Sequence, residues 1–211
     1  NEGTLSELNI KALVAHYTPD EVKLVTGGKN QMKYQEEIDF IVTHKKRNFF
    51  IRDIALAQKG NTLVMFNFVE KHGDELQRLI REKKGNSVYY IHGDTKTDER
   101  EQIRAIVENE KNAIIVASSG TFSTGINIRN IHNVIFSSPT KSQIRVLQSI
   151  GRGLRKSDDG RAATLYDIVD DLNKGSKKNF AYKHAQERFK MYKDEEFPVE
   201  IIDIDLGELY E

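Results

Sequence analysis

The stretch Thr62-Leu63-Val64-Met65-Phe66 is apolar almost without interruption, the pattern of a strand covered on both faces. Short runs of the same kind recur at Val88–Ile91, Ala113–Ala117, Val134–Phe136 and Ala162–Ile168, the last ending among the acidic Asp167, Asp170 and Asp171. Between them the apolar spacing changes to three and four. Leu76, Leu79 and Ile80 predict a helix over His72–Lys84, with Gly85 just past its end. Ile103, Ile106 and Val107 predict another over Asp98–Asn109, where Asp98 followed by Glu101 reads as a cap. A further helix is expected over Lys141–Ile150. Upstream, Ile38, Ile41 and Val42 predict a helix over residues 31–46, and a second runs from Asn48 to Lys59 and stops at Gly60. Ile10–Ala15 and Val22–Val25 read as strand-like. After a polar loop over Lys174–Asn179, the pattern predicts a helix over Asn179–Lys193 and an edge or extension strand over Pro198–Leu206.

Strands alternating with helices imply an α/β fold, a parallel sheet with helices on both faces, here with a C-terminal helix and strand extension. Residues 1–30 are expected to be a lead-in segment packing on this lobe, 31–172 the lobe itself, and 173–211 an extension that braces the same domain. Ligands of such sheets sit at the carboxyl ends of the strands, which directs the search for function there.

Composition narrows the classes. The 211 residues fit one large domain; 38% are hydrophobic and 30% charged, as in a soluble globular protein. No apolar run approaches the roughly 20 residues that span a bilayer, so no membrane partner is expected. Asn1-Glu2-Gly3-Thr4 is not a signal peptide and lacks an initiator Met, which reads as a fragment or processed piece. The absence of Cys suits a reducing, cytoplasmic setting. Six scattered His residues and no Cys speak against a zinc site. Lys plus Arg equals Asp plus Glu at 32 each, which argues against a purely electrostatic, histone-like binder and leaves room for local basic patches.

Four pieces carry candidate chemistry. In Gln148-Ser149-Ile150-Gly151-Arg152-Gly153-Leu154-Arg155, helical spacing puts Gln148, Arg152 and Arg155 on one face in line with Arg145, while Ile144, Leu147, Ile150 and Leu154 form a separate apolar stripe. Two directed guanidiniums suit a triphosphate; a solvated basic helix end would show the same pattern. Ala117-Ser118-Ser119-Gly120-Thr121 through Gly125-Ile126-Asn127 follows a strand and is rich in hydroxyls and Gly, as a phosphate-holding turn would be and as many plain polar loops are. His92-Gly93-Asp94, with Arg100 on the next helix turn, is a second candidate phosphate site or simply a turn and cap. Asn67, directly after a strand, could contact a phosphate or cap the following turn.

In order, spacing and strand-end placement these pieces resemble the second-lobe motifs of superfamily 2 helicases, over residues 31–170. Leu63–Asn67 is similar to motif IV, His92-Gly93 with Arg100 to the segment after it, Ala117–Asn127 to motif V, and Gln148–Arg155 to motif VI. The resemblance implies a RecA-like second motor lobe of an ATP-dependent DNA helicase or translocase acting on branched DNA in recombination, replication or repair. It implies that Arg152 and Arg155 reach the γ-phosphate, with Arg155 the finger. Gln148, Gly125 and Asn127 would lie at the nucleotide, and Asn67, Gly93, Arg100 and Ser118 would hold phosphates of one DNA strand. Asn127 stands where many relatives carry Asp, and Ser118 where Thr is common. No Gly-x-Gly-Lys-Thr and no Asp-Glu-x-His occurs. The resemblance therefore implies that ATP and Mg2+ are held mainly by an N-terminal RecA-like lobe in cis, and that this chain alone is inactive. The alternatives are a non-catalytic nucleic-acid-binding module on a degenerate motor fold, and an α/β transferase of another class.

Overall fold

The computed structural model describes residues 7–123, 128–140, 145, 147, 154 and 160–211. Seven strands form one sheet in the order β3-β4-β2-β5-β6-β1-β7: β1 Leu8–His16, β2 Thr62–Phe66, β3 Val88–Ile91, β4 Ile114–Ser118, β5 Asn133–Phe136, β6 Ala163–Asp171 and β7 Val199–Asp205. Every pairing is parallel. The fold is RecA-like, and β1 runs inside the sheet between β6 and β7.

The apolar runs split by parity, as a period of two requires. Leu63 and Met65 of β2 and Ile115 and Ala117 of β4 pack on one face, against Ile103 and Val107 of α5 (Thr97–Asn109) and Tyr192 of α7 (Phe180–Asp194). Val64, Phe66, Ile114 and Val116 pack on the other, against α3 (Lys45–Ala57) and α4 (Asp74–Lys84). Two helical layers on one sheet account for the unbroken hydrophobic strands.

The structure corrects several boundaries. Val22–Val25 is not a strand: α1 (Pro19–Val22) runs into a π-turn over Lys23–Gly27. The cause is a capping box. Thr18 Oγ1 accepts from Glu21 N at 3.2 Å, Glu21 Oε1 accepts from Thr18 N at 3.2 Å, and Pro19 opens the helix. The helix expected within 31–46 is shorter, α2 (Tyr34–Val42), and α3 begins at Lys45 because His44 Nδ1 caps Arg47 N at 3.3 Å. The turn before α4 is a π-turn over Val69–Gly73, held close beneath β2: a Cβ on Gly73 would fall 2.4 Å from the Phe66 ring. In α5 the N-cap is Lys96, and Asp98 lies in the first turn, where its charge meets the positive helix end without capping it. β6 runs to Asp171, so the acidic residues belong to the strand. The tail pairs β7 with β1 as an edge strand and ends in α8 (Leu206–Leu209).

Candidate functional site

All strands point the same way, so their carboxyl ends share one rim. At its centre β2 lies between β4 and β5, where the chain's path across the sheet reverses and α/β ligands bind. Asn67 leaves β2 there, and its amide is fully oriented. Its Oδ1 accepts from Ser119 Oγ at 2.5 Å, and its Nδ2 donates to Thr140 Oγ1 at 2.5 Å. Its backbone N–H donates to Ser138 Oγ at 2.9 Å. Ser118 Oγ pairs with Thr121 Oγ1 at 2.5 Å, and the Ser137 hydroxyl donates to Met65 O. The hydroxyls after β4, where the short α6 (Ser119–Ser123) begins, and those after β5 thus close over Asn67 from both sides. Ser118 is buried in this network and shapes the turn from within.

Two strand spacings away, roughly 10 Å, is the turn after β3. Arg100 staples it: Nε donates to Thr95 O at 2.8 Å, and Nη2 to His92 O at 3.1 Å and Gly93 O at 2.9 Å. The guanidinium holds the turn's carbonyls inward, turning the other side of the turn outward. A Cβ on Gly93 would meet nothing within 4 Å, and its φ lies outside the left-handed region. Nothing in the chain itself requires glycine there.

The loop after β5 is clamped from both faces of the sheet, and sequence reasoning did not foresee the clamp. Asp167 and Asp170 are three apart in β6 and so project to opposite faces. On one face Asp170 receives Arg47 of α3 through two bonds, Nε to Oδ1 at 2.7 Å and Nη2 to Oδ2 at 3.0 Å. Arg47 Nη1 then donates to Ser137 O at 2.7 Å. On the other face Asp167 receives Arg188 of α7, Nη2 to Oδ1 at 2.7 Å and Nε to Oδ2 at 2.9 Å. Arg188 Nη1 donates to Thr140 O at 3.3 Å. Tyr17 and Tyr192 complete the two sites, each donating to its aspartate at 2.6 Å. All four charged side chains are essentially inaccessible. Burial works against each guanidinium, but Asp170 and Asp167 overcome it and hold the pKa of Arg47 and Arg188 above the ordinary arginine value. Burial, reinforced by the adjacent carboxylates, pushes both tyrosines well up, so they stay donors. Such pairs can be made only where geometry satisfies every donor; here the spare donors grip the loop that holds Asn67.

Two neighbouring groups fix the supporting helices. The buried Glu37 carboxylate of α2 accepts from Phe180 N at 3.0 Å and Ala181 N at 2.7 Å, capping α7 from outside its own sequence. Burial raises its pKa, and those backbone donors oppose the rise. His72 is fully buried, with Nε2 on Asn48 Oδ1 at 3.0 Å. Asn48 Nδ2 donates to Val42 O at 3.0 Å, so its Oδ1 is the acceptor and Nε2 carries the proton. Burial, with the Arg47 charge second, drives the His72 pKa well below its usual value.

Gln148, Gly125, Asn127, Arg152 and Arg155 lie outside the described residues. Of their described neighbours, Leu147 and Leu154 are buried in the core, Ile131 bridges to Leu154, and Arg145 is exposed. Among the described residues no cluster of His, Asp or Glu is arranged to hold a metal ion.

Comparison with known proteins agrees with this architecture. The family described as "Helicase conserved C-terminal domain" matches residues 45–157. The chain is 40% identical over 209 residues to the ATP-dependent DNA helicase uvsW of Enterobacteria phage T4, covering 93% of this chain and 40% of that protein. It is 26% identical over 163 residues to the ATP-dependent RNA helicase DBP2 of Gibberella zeae, covering 74% of this chain and 29% of that protein. The crystal structure of T4 UvsW superposes with a TM-score of 0.77 at 37% identity, over 96% of this chain and 42% of that one. The C-terminal domain of the DEAD-box protein Dbp5 superposes with a TM-score of 0.59 at 13% identity over 95% of this chain and 92% of that one, a likeness of fold alone. The chain therefore spans well under half the length of the curated relatives it matches.

Proposed function

The chain belongs to the helicase conserved C-terminal domain family, as the second RecA-like lobe of a superfamily 2 helicase, and from that premise we propose that it is the strand-gripping and site-completing half of an ATP-dependent DNA motor acting on branched DNA. The rim supplies the grip. Asn67, locked by Ser119 and Thr140, and the open face of Gly93 take phosphates of one strand. Ser118 and Arg100 act behind them by fixing the two turns. Contacts of this kind position a strand without reading its bases.

Arg152 and Arg155 would donate to the γ-phosphate oxygens, and Gln148, Gly125 and Asn127 would help order the nucleotide. Bound ATP with Mg2+ supplies the phosphoryl chemistry and the free energy of closure. This lobe contributes the two guanidiniums, which reach the triphosphate only when a partner lobe in cis brings it to them. Loss of such a finger costs on the order of 10³–10⁵ in turnover. Alternating closure and reopening would carry the grip along the strand.

The observation that carries the choice of DNA is the 40% identity to a DNA helicase across nearly the whole chain, against 26% over a shorter span to an RNA helicase. The test is ATP hydrolysis by the protein containing both lobes, with single-stranded, duplex and branched DNA and with single-stranded RNA. Branched DNA should stimulate most. Stimulation by RNA equal to or above that by DNA overturns the substrate assignment, and nucleic-acid binding without any ATPase favours a non-catalytic module.

A further inference from the structure

The rim carries a second feature, on the far side of Asn67 from Gly93. β1 and β6 pair in parallel with His16 opposite Asp171, so the chain leaves both strands at the same place. After β1 it runs through α1 and the π-turn over Lys23–Gly27 towards α2; after β6 it turns over Lys174–Lys177 into α7. A small buried core of Val25, Ile41, Leu172 and Ala181 joins the two connections. They also meet directly, because a Cβ on Gly27 would lie 3.2 Å from Lys174 Cγ. Each is closed on itself. Met32 N donates to Val25 O at 2.9 Å, and Lys174 and Lys177 exchange backbone bonds of 2.9 and 3.0 Å around Gly175, at φ +57°. Asn179 Oδ1 accepts from Leu172 N at 3.0 Å and its Nδ2 donates to Asp170 O at 3.0 Å, tying the turn to the clamp.

Residues 23–33 hold three lysines and residues 174–183 four, with no acid in either segment, in a chain of no net charge. All seven lysines are exposed. Among the described residues Lys23, Lys29, Lys174 and Lys177 form no ion pair. The bordering carboxylates are engaged: Glu36 accepts from Lys33 N at 2.9 Å, Asp171 accepts from Asn173 N at 3.0 Å, and Asp203 pairs with His16 Nε2 at 2.7 Å. Asp20 on α1 offsets one charge. The acids outside the described residues, Glu2, Asp158 and Asp159, precede β1 and β6 in the chain, whereas the lysines follow those strands, each about 30 Å long.

Such a surface attracts a polyanion. Double-stranded DNA carries one charge per about 1.7 Å of axis, twice the density of one strand. Lysine ammoniums suit it, as mobile point charges that need no fixed phosphate geometry. Single-strand sites add open aromatic faces on which bases stack. Here Lys178 Nζ lies 6.0 Å from the centre of the Tyr182 ring and Lys183 Nζ 5.4 Å from that of Phe180, while Tyr34 meets Phe180 edge-on at 5.7 Å. The rings support cations instead of bases. β6 is two strands from β2, roughly 10 Å, so one DNA molecule can reach both the lysines and Asn67.

We propose that this lysine platform holds the backbone of a duplex arm of the DNA whose single strand the rim grips. The proposal rests on the reading of this lobe as part of a motor on branched DNA. The test is binding of a short blunt duplex and of an oligothymidylate to the full chain, followed by fluorescence anisotropy over a series of salt concentrations. Lys29→Gln with Lys174→Gln and Lys177→Gln should weaken duplex binding about tenfold or more at low salt. It should also lower the slope of log affinity against log salt by about one for each lysine that contacts a phosphate. Its melting temperature should not change, and its affinity for oligothymidylate should stay within about twofold of wild type. Lys83→Gln with Lys111→Gln, equally exposed before β3 and β4, should leave duplex binding within about twofold. No duplex binding by the wild-type chain at low salt, an unchanged salt slope in the triple variant, or an equal loss in the control pair overturns the proposal. An equal loss on oligothymidylate gives the platform to the tracked strand and overturns the duplex assignment. Gly93→Val, read on oligothymidylate alone, reports on the rim, so failure of the grip and failure of the platform are distinguishable.

Discussion

Arg188→Met tests the two-sided clamp. In the native structure Arg188 gives Asp167 two short bonds, and neither side chain reaches solvent. The substitution keeps the apolar stem and removes the charge, leaving a buried carboxylate with only the Tyr192 hydroxyl for company. Breaking a buried pair in this way costs about 3–5 kcal/mol, a large share of the roughly 5–15 kcal/mol that holds a domain together. The double variant Arg188→Met with Asp167→Leu removes the stranded charge as well. It should recover most of the loss and stay about 1–2 kcal/mol below wild type, because the Tyr192 hydroxyl and Thr140 O lose partners. Urea unfolding measures both as midpoint shifts at constant slope. Strand affinity separates packing from positioning: the double variant should bind a DNA strand several-fold more weakly despite its recovered stability, because Thr140 no longer has a fixed carbonyl behind its contact with Asn67. A single variant that loses less than about 1 kcal/mol, as an exposed pair would, contradicts the reasoning. So does a double variant no more stable than the single.

Gly93→Val should leave the unfolding midpoint unchanged, since a Cβ there has no neighbour within 4 Å, and should weaken DNA-strand binding about tenfold or more by closing the space over the turn; unchanged affinity removes Gly93 from the contact surface. The buried His72 should set an acid limit on stability. Its folded pKa lies well below the value of about 6.5 it has when unfolded, so below pH 6.5 the unfolded chain takes up a proton that the folded chain refuses. Stability is then complete above that pH and falls as pH drops, by up to about 1.4 kcal/mol per unit. His72→Gln should flatten this part of the curve, and parallel curves for the two proteins would contradict the assignment.

The strands were readable because burial on both faces erases polar alternation, and Leu63 to Phe66 show it plainly. The rim was readable in part: Asn67 and Gly93 follow strands and Ser118 ends one, and strand ends are where α/β proteins bind ligands. What escaped were groups whose meaning depends on distant partners. Asp167 and Asp170 look like a polar strand end, yet they are charges inside an otherwise apolar strand, a signal that buried arginines must answer them. Arg47 and Arg188 lie 123 and 21 residues from those partners, beyond any local pattern. Glu37 looks like a surface helix residue until α7 arrives above it. The misread Val22–Val25 segment was a different failure, because Thr18, Pro19 and Glu21 spell a capping box in the sequence itself.

In the proposed role this lobe completes a nucleotide site while gripping a strand with separate residues. The most direct measurement is DNA-stimulated ATP hydrolysis by the two-lobe protein carrying Arg155→Ala, alongside its DNA affinity. The account predicts turnover reduced by a factor of about 10³ or more with DNA affinity within about twofold of wild type. Wild-type turnover in that variant, or a loss that tracks the loss of DNA binding, would contradict it.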